Sequence, residues 1–263
     1  MVRICVAGAT GRMGSTLVRE ALARGFDVVG AVASPENPNL GRSLREAGIA
    51  DLDTIILDPT KLSEAVRDAD VYVTFTTPEA EVSNLPVVAN LGKRIVMGTT
   101  GFSDEQLRAI KEAVEGKVPA VFAPNFAIGV NILIKMINVL RLLPQDYDFS
   151  IVEAHHIRKR DSPSGTAKRI GEVISKTRGY ERIIYGRKGI NPRKPRELEI
   201  LSVRAGGIPG IHDIIIAGQH EMIRIEHVAF SRRVFAQGAL YATEWIMKRT
   251  EPRIYTIDDV LSQ

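Results

Sequence analysis

The chain has 263 residues, of which 44% are hydrophobic and 25% charged, and a formal net charge of +4 at pH 7. This composition predicts a globular protein of one or two domains, and its mildly basic balance weakly favours anionic ligands without identifying nucleic acid. No apolar run approaches the ~20 residues of a membrane span, no signal peptide precedes the first strand pattern, and one cysteine, Cys5, excludes an internal disulfide, so we expect a cytoplasmic protein without membrane contact.

The first thirty residues predict a dinucleotide-binding unit. An apolar run over residues 2–7 is typical of a strand buried in a parallel sheet, and residues 15–24 form an amphipathic helix. Between them lies a glycine turn with the spacing G-x-x-G-x-x-G instead of the usual G-x-G-x-x-G. A second strand follows at residues 26–33. Such a turn lets the backbone approach a pyrophosphate, whose charge the helix N-terminus favours.

Alternating strands and helices continue to residue 126. The predicted strands are 71–76, 94–97 and 120–123, and the predicted helices are 62–67, 80–90 with Pro86 near a turn or kink, and one from the N-cap Ser103 to Val114. The strands end in small polar residues, glycines and prolines. Since parallel strands end at the same edge of a sheet, these residues predict a ligand site at the carboxyl edge.

From residue 127 the pattern changes. A long aliphatic helix is predicted at 129–143, ended by Pro144, and strands at 197–205, 211–217 and 222–229 alternate as antiparallel strands do. A last helix at 236–247 is expected to return to the first domain. We therefore predict an α/β fold with a Rossmann-type doubly wound parallel sheet (residues 1–126 and 236–263) and a second α+β domain with a mixed or antiparallel sheet (127–235) for substrate binding and oligomerisation.

The stretch from 151 to 167 carries the candidate chemistry. Strand-type residues lead into His155 and His156, Lys159 lies in a basic triplet, and Ser164-Gly165-Thr166 opens a helix near residue 167. Histidine exchanges protons near neutral pH, lysine holds a carboxylate or acts as a second acid, and a helix start binds anions. A lone histidine at a strand end is more often packing, but the combination favours a site for an anionic substrate that needs a proton.

A second basic cluster, between residues 187 and 196, is interrupted by prolines and glycines and contains no interleaved aromatic residue. A solvated loop is the favoured interpretation, and a nucleic-acid-binding surface is the alternative. No nucleic-acid partner is expected.

These motifs together resemble the 4-hydroxy-tetrahydrodipicolinate reductase (dihydrodipicolinate reductase) family over essentially the whole chain. The resemblance is carried by residues 8–14, 75–79, 98–101, 125–126, 129–131, 153–156 with Lys159, 164–167, 204–206, 231–232 and 235–236. The histidine stretch is its most specific part.

The resemblance implies roles that the residues alone leave open. His155 would be the general acid that protonates the carbon next to the hydride acceptor, and Lys159 a second proton donor or charge stabiliser. His156, Gly165 and Thr166 would bind a small anionic dicarboxylate. The cofactor would be lined by Gly8, Ala9, Thr10, Gly11, Arg12, Met13, Gly98, Thr99, Thr100, Ala123, Pro124, Asn125 and Phe126. No metal site is implied, and family members are usually homotetramers built through the second domain's sheet.

One position departs from the family pattern. Where many members carry an acidic residue after the second strand, often followed by arginine, this chain has Ser34 and then Pro35, with Glu36 beyond. Ser34 would face the adenosine ribose without repelling a 2′-phosphate, and Arg12 or Arg42 could add positive charge, so we expect use of NADPH and NADH, with NADPH at least equal. Two alternatives stay open: another nicotinamide-dependent reductase or amino-acid dehydrogenase on the same scaffold, and a non-catalytic dinucleotide-binding sensor.

Overall fold

A computed structural model describes residues 1–262. The strands are β1 (Arg3–Ala7), β2 (Asp27–Val32), β3 (Ile56–Leu57), β4 (Val71–Thr74), β5 (Arg94–Met97), β6 (Ala120–Phe122), β7 (Asp148–His155), β8 (Arg182–Ile184), β9 (Glu197–Arg204), β10 (Gly210–Ala217), β11 (Met222–Ala229) and β12 (Ile254–Tyr255). The helices are α1 (Arg12–Ala23), α2 (Leu62–Ala65), α3 (Pro78–Asn90), α4 (Asp104–Val114), α5 (Ile128–Ile137), α6 (Gly165–Arg178), α7 (Arg233–Ile246) and α8 (Ile257–Leu261). Short 3-10 turns lie at Pro59–Lys61 and Val139–Leu142.

The chain divides into two compact units. The first unit comprises residues 1–127 together with the described residues from 232 onward, and the second unit comprises residues 128–231. The predicted boundaries lay at 126/127 and 235/236. Helix α7, predicted to return to the first domain, packs against α1 within the first unit.

The first unit is built on a seven-stranded parallel sheet in the order β12-β6-β5-β4-β1-β2-β3. The sequence of strand β1 is almost wholly apolar because both of its faces are buried. Ile4 and Val6 pack into a core on one face with α1 and α7, while Cys5 and Ala7 pack into a core on the other face with α2 and α3. Because side chains alternate along a strand, a sheet covered on both faces requires a continuous apolar run. The predicted Rossmann-type fold is confirmed.

Close backbone contacts explain the glycine turn after β1. Gly8 has φ +72°, which favours glycine, and a Cβ there would lie 2.6 Å from the carbonyl oxygen of Phe75. A Cβ on Gly14 would lie 2.0 Å from the carbonyl oxygen of Gly8. Glycine at these positions therefore lets α1 begin directly against the end of β1.

The second unit contains a five-stranded mixed sheet in the order β11-β10-β7-β9-β8. Strand β10 runs antiparallel to β7 and β11, as expected. The antiparallel prediction was wrong for β9, which runs parallel to β7 and β8. The connection from β7 to β9 includes α6 and is long enough for the crossover that a parallel pair requires. Helices α5 and α6 cover one face of this sheet.

Several predicted boundaries change. The helix predicted at 129–143 ends at Ile137 and tightens into a 3-10 turn, with Asn138 N–H donating to the carbonyl of Lys135. Pro86, predicted to lie near a turn or a kink, lies inside α3. Strands β3, β8 and β12 are too short to show a period of two in the sequence. Along residues 1–262 no helix combines the length and apolarity needed to cross a membrane.

Candidate active site

The sheet of the first unit gathers the predicted cofactor residues along one edge. Residues 8–11 follow β1, Ser34 lies two residues after β2, residues 98–100 follow β5, and residues 123–126 follow β6. These strands are parallel and, apart from the intervening β4, are neighbours in the sheet. Their carboxyl ends therefore place all four segments at the edge where ligands bind in open α/β sheets.

The start of α1 fits a negatively charged group. Its N-cap is Gly11, which makes no side-chain cap hydrogen bond, and the first turn contains no acidic residue. The backbone N–H groups at this helix start therefore remain available to bind a negatively charged ligand. Arg12, the first helical residue, is exposed. The glycine turn provides the bare approach that a pyrophosphate requires, so the residues present fit a dinucleotide.

Aromatic packing shapes the adjoining segments. A Cβ on Gly98 would lie 2.1 Å from the Phe75 ring, so only glycine leaves room for that ring. Phe75 and Phe126 meet edge to face, with ring centroids 5.9 Å apart. The Asn125 side chain accepts a hydrogen bond from the Ala127 N–H at 2.8 Å. The segments after β4, β5 and β6 are thus packed against one another.

The two threonines after β5 differ in what they offer. The hydroxyl of Thr99 accepts a hydrogen bond from the Thr76 N–H at 2.9 Å and donates to Glu81 at 2.6 Å. Thr99 is buried, whereas Thr100 is exposed. The side chain of Thr99 is therefore committed inside the protein, and Thr100 is the one whose side chain faces solvent.

After β2, Ser34 occupies the position at which an acidic residue would face the adenosine ribose. Ser34 and Glu36 are both exposed. Asn37 fastens this segment to the glycine turn, because its Nδ2 donates to Thr10 Oγ1 at 2.8 Å. Among the described residues, neither Arg12 nor Arg42 has an ion-pair partner.

A buried carboxylate organises the candidate site of the second unit. Glu153, on β7, is fully buried, and its Oε2 lies 2.5 Å from His155 Nδ1. Arg204, at the end of β9, donates to both carboxylate oxygens at 2.7 and 3.0 Å. The backbone N–H of Ser164, at the start of α6, donates to Oε1 at 3.1 Å. One carboxylate thus joins two neighbouring strands and a helix start.

The network sets the protonation of its members. Burial alone would raise the pKa of Glu153, but its hydrogen bonds to Arg204, His155 and Ser164 help lower this pKa to about 2. Burial lowers the pKa of His155 below its ordinary value of 6.5, while the ion pair with Glu153 acts in the opposite direction. His155 is only 8% exposed, and Nδ1 faces Glu153, so the carboxylate orients the ring.

Asp161, a carboxylate of the chain itself, forms an ion pair with Lys159. Lys159 Nζ lies 2.8 Å from Asp161 Oδ1. Burial would raise the pKa of Asp161, but Lys159 and the Gly165 N–H lower it by hydrogen bonding. Lys159 thus pairs with a carboxylate of the chain itself, and the Asp161 side chain is 52% exposed. Nothing lies within 4 Å of a Cβ placed on Gly165, so the approach to this helix start is open.

The start of α6 is held from the core side. Ser164, the N-cap, accepts the Ala167 N–H at 3.1 Å, and its Oγ lies 3.1 Å from His212 Nε2. Burial lowers the pKa of His212 to about 3, so this histidine is neutral at pH 7. Its Nε2 can then accept the hydroxyl hydrogen of Ser164. Thr166, the second helical residue, and His156, directly after β7, are both partly exposed.

The structure brings His155, Lys159, Gly165 and Thr166 into one region around the β7 end and the α6 start. Glu153, Arg204 and His212 were missed as site residues by sequence reasoning. The first two belong to motifs of the family resemblance, but nothing in the sequence pairs residues 51 positions apart. No group of His, Cys, Asp or Glu that could hold a metal ion occurs among residues 1–262.

A dinucleotide-type sheet edge, combined with a second unit that holds an oriented histidine, is typical of two-domain nicotinamide-dependent oxidoreductases. Family models described as dihydrodipicolinate reductase, N-terminus and C-terminus, match residues 2–126 and 129–261. The 4-hydroxy-tetrahydrodipicolinate reductase of Methanosarcina barkeri is 42% identical over 265 residues, covering 99% of both chains. That of Archaeoglobus fulgidus is also 42% identical, covering 99% of this chain and 100% of its own. The chain belongs to the dihydrodipicolinate reductase family.

Solved structures agree on the fold. A dipicolinate-bound dihydrodipicolinate reductase from Paenisporosarcina sp. TG-14 superposes with a TM-score of 0.76 at 23% identity, covering 97% of each chain. A diaminopimelate dehydrogenase of C. glutamicum gives a TM-score of 0.55 at 12% identity, covering 100% of this chain and 98% of its own.

Substituting Glu153 with glutamine should destabilise the protein in a pH-dependent way. Removing the charge leaves Arg204 without its anion, which costs roughly 3 kcal/mol at pH 7. The folded pKa of Glu153, about 2, lies below its ordinary value of 4.5, so its contribution is complete above that value and is lost as pH falls toward 2. Denaturant unfolding from pH 7 to pH 3 measures the difference between the two proteins.

The matched control is Glu172→Gln. Glu172 pairs with Arg169 on the surface of α6, where both side chains are 63% exposed, and its loss should cost at most ~1 kcal/mol. A Glu153→Gln difference that stays constant down to pH 3 would contradict the assignment of an ionised, strongly paired Glu153.

Proposed function

We propose that the protein reduces 4-hydroxy-tetrahydrodipicolinate to tetrahydrodipicolinate with a reduced nicotinamide dinucleotide, in lysine and diaminopimelate synthesis. Family membership over the whole chain supports this activity. The observation that carries the proposal is the oriented His155 beside a lysine and an open helix start. The net change replaces a hydroxyl group by hydrogen: one hydride and one proton enter, and one water leaves. The setting that we propose is the cytoplasm.

His155 is the proposed proton donor. Its Nδ1 is held by Glu153 at 2.5 Å, which leaves Nε2 to face the substrate. A Cβ on Gly210 would lie 3.2 Å from this Nε2, so glycine at that position keeps space beside the reactive nitrogen. The neighbouring carboxylate stabilises the protonated imidazole that burial disfavours. Loss of the hydroxyl with a hydrogen of the neighbouring carbon, as water, would leave a carbon–carbon double bond. Hydride would then add to the carbon that bore the hydroxyl, and His155 would donate the proton to the neighbouring carbon, which completes the addition.

His156, Gly165 and Thr166 are proposed to bind the dicarboxylate, with Lys159 as the second catalytic residue. The ion pair of Lys159 with Asp161 and the open start of α6 support this arrangement. The substrate carboxylate would exchange for Asp161 and bring the Lys159 ammonium to the reacting group. Lys159 would then stabilise developing negative charge or serve as a second donor.

The dinucleotide is proposed to bind at residues 8–13, with Ser34 at the ribose and residues 98–100 and 123–126 around the nicotinamide. When bound, the reduced nicotinamide supplies the hydride. The α1 start holds the pyrophosphate through backbone N–H groups. Exposed Ser34 and the unpaired Arg12 and Arg42 support acceptance of a 2′-phosphate, so NADPH should serve at least as well as NADH.

We also propose a homotetramer, which the family resemblance implies, built through the sheet of the second unit. The face of this sheet opposite α5 and α6 carries apolar side chains. Leu201, Val203 and Val228 on that face are 38%, 44% and 38% exposed. In register with them, Val152 pairs with Leu201 and Ile211 with Val228, so apolar side chains continue onto β7 and β10. The same face also carries the ion pairs of Arg224 with Asp213 and Glu226. A second copy of the chain fits such a self-complementary surface.

Replacing His155 with glutamine should lower kcat by about 100-fold or more, the scale of general acid catalysis, while the cofactor Kd is unchanged. Lys159→Ala should do comparable damage, and Lys159→Arg should rescue only part, because a guanidinium is a poor proton donor. Steady-state kinetics and cofactor titration measure these effects. The control His220→Gln alters an exposed histidine in the β10–β11 turn and should keep full activity. An unchanged kcat for His155→Gln would rule out the proposed role.

Gly165→Val should weaken binding of pyridine-2,6-dicarboxylate by about 10-fold or more, equivalent to about 1.4 kcal/mol, because the side chain fills the open approach. Isothermal titration calorimetry gives the Kd. Gly207→Val is the matched control, since a Cβ there also meets nothing within 4 Å. If the inhibitor bound Gly165→Val as tightly as the parent protein, the carboxylate would have to lie elsewhere.

The cofactor preference is tested by kcat/KM for NADPH and NADH at one ionic strength. We expect NADPH to be at least equal, and Ser34→Asp to shift the ratio toward NADH by about 10-fold, because an acid there repels the 2′-phosphate. Ser34→Ala serves as the control and should leave the ratio near its starting value. A parent protein that favours NADH by more than about 10-fold, or 1.4 kcal/mol, would show that Glu36 or another acid governs the site.

Leu201→Lys should convert the tetramer into smaller species, because it buries a charge in an apolar interface. Light scattering coupled to size-exclusion chromatography reports the mass. Leu91→Lys changes an apolar residue of the first unit with 44% exposure and should leave the assembly intact. A parent protein that is monomeric, or a tetramer unaffected by Leu201→Lys, would refute this interface.

A further inference from the structure

A second buried carboxyl group lies beneath the sheet edge of the first unit. Glu81, in the first turn of α3, is fully buried. Its Oε1 accepts hydrogen bonds from the hydroxyls of Thr74, Thr76 and Thr99 at 2.6, 2.5 and 2.6 Å. Its Oε2 is buried and finds no hydrogen-bond partner within residues 1–262. Three hydroxyls therefore converge on one oxygen of a group that solvent does not reach.

The threonines come from two different segments of the edge. Thr74 ends β4 and Thr76 follows it, whereas Thr99 follows β5. The Thr76 N–H also donates to Thr99 Oγ1 at 2.9 Å, which closes the link between the segments. Thr76 Cγ2 lies 3.2 Å from the position that a Cβ on Gly8 would occupy. The position of Thr76 consequently bounds the glycine turn, while Thr99 fixes residues 98–100.

Burying the Glu81 carboxyl group costs more free energy than burying an apolar side chain in its place would. Burial raises the pKa of Glu81, and the three threonine hydroxyls only partly offset that effect. An apolar side chain of similar volume would pack against α3 without a desolvation cost or an unpaired oxygen. The carboxyl group instead provides directional hydrogen bonds, which fix the rotamers of three threonines at once. These threonines lie at the ends of β4 and β5, where the cofactor is proposed to bind.

We propose that Glu81 is a positioning residue for the dinucleotide, holding Thr76 and Thr99 so that the segments after β4 and β5 keep the shape that receives it. The inference rests on the proposed assignment of the cofactor to this edge. Glu81 touches neither cofactor nor substrate and acts only through the two threonines. Its loss should therefore weaken binding of the dinucleotide more than it slows the chemical step.

Fluorescence titration with NADPH, without substrate, provides the test. Glu81→Ala should raise the Kd about 10-fold, while Glu81→Gln should stay within about threefold, because its amide oxygen accepts the same hydroxyl bonds. Thr99→Val should also weaken binding. In the double variant Glu81→Ala/Thr99→Val the two effects should not add, since both remove the same link. In steady state the change should appear in the KM for NADPH, with kcat within about threefold.

The control is Glu20→Ala, another buried carboxylate of the first unit, which pairs with Arg233 and Gln237. It should lower Tm and leave the Kd within about twofold. A Glu81→Ala variant that behaves in the same way would overturn the proposal. If Glu81→Ala does not fold, Thr99→Val and Glu81→Gln decide, and an unchanged Kd for Thr99→Val overturns it. Absence of turnover in a parent protein that binds NADPH rejects the proposed reaction alone, whereas absence of any NADPH binding rejects the role of Glu81.

Discussion

The ion pair between Glu153 and Arg204 is the contact on which the second unit's site depends. An isolated carboxylate would not stay charged at a fully buried position, so the bidentate guanidinium and the Ser164 N–H are what keep it ionised. The Glu153 carboxylate is also hydrogen-bonded to His155 Nδ1, and this contact orients the imidazole ring. Register makes this possible, because Arg204 is paired with His155 across β7 and β9. The parallel direction of β9 is thus a requirement of the site.

The two buried glutamates have pKa values that shift in opposite directions, because their surroundings differ. Glu153 faces a guanidinium and a backbone N–H, and its pKa falls to about 2. Glu81 faces only threonine hydroxyls, and burial raises its pKa. The first is an anion that orients His155, the proposed proton donor. The second is a hydrogen-bonding centre that holds neighbouring backbone segments, because neutral hydroxyls cannot compensate a buried charge as an arginine does.

Both units prepare an anion site at a helix start, but by different means. At α1 the site is made by glycines, which bring the helix against the end of β1 and leave the N–H groups uncapped. At α6 the N-cap Ser164 contacts His212, and the nearby Asp161 pairs with Lys159. A pyrophosphate needs close approach of the backbone, whereas the proposed substrate carboxylate would exchange with Asp161, a group of the same charge. This contrast matches the proposed division between cofactor and substrate.

The sequence by itself determined the parallel sheet, the glycine turn, the Ser103-capped helix and the grouping of His155, Lys159 and the α6 start, because each depends on local periodicity or on residues within a few positions. It also determined the family, through motifs spread along the chain. Only the tertiary structure decided the direction of β9, the partner of Glu153, the support of Ser164 by His212 and the gathering of threonines by Glu81. These depend on crossovers and pairings between distant segments, for which a single sequence holds no periodic signal.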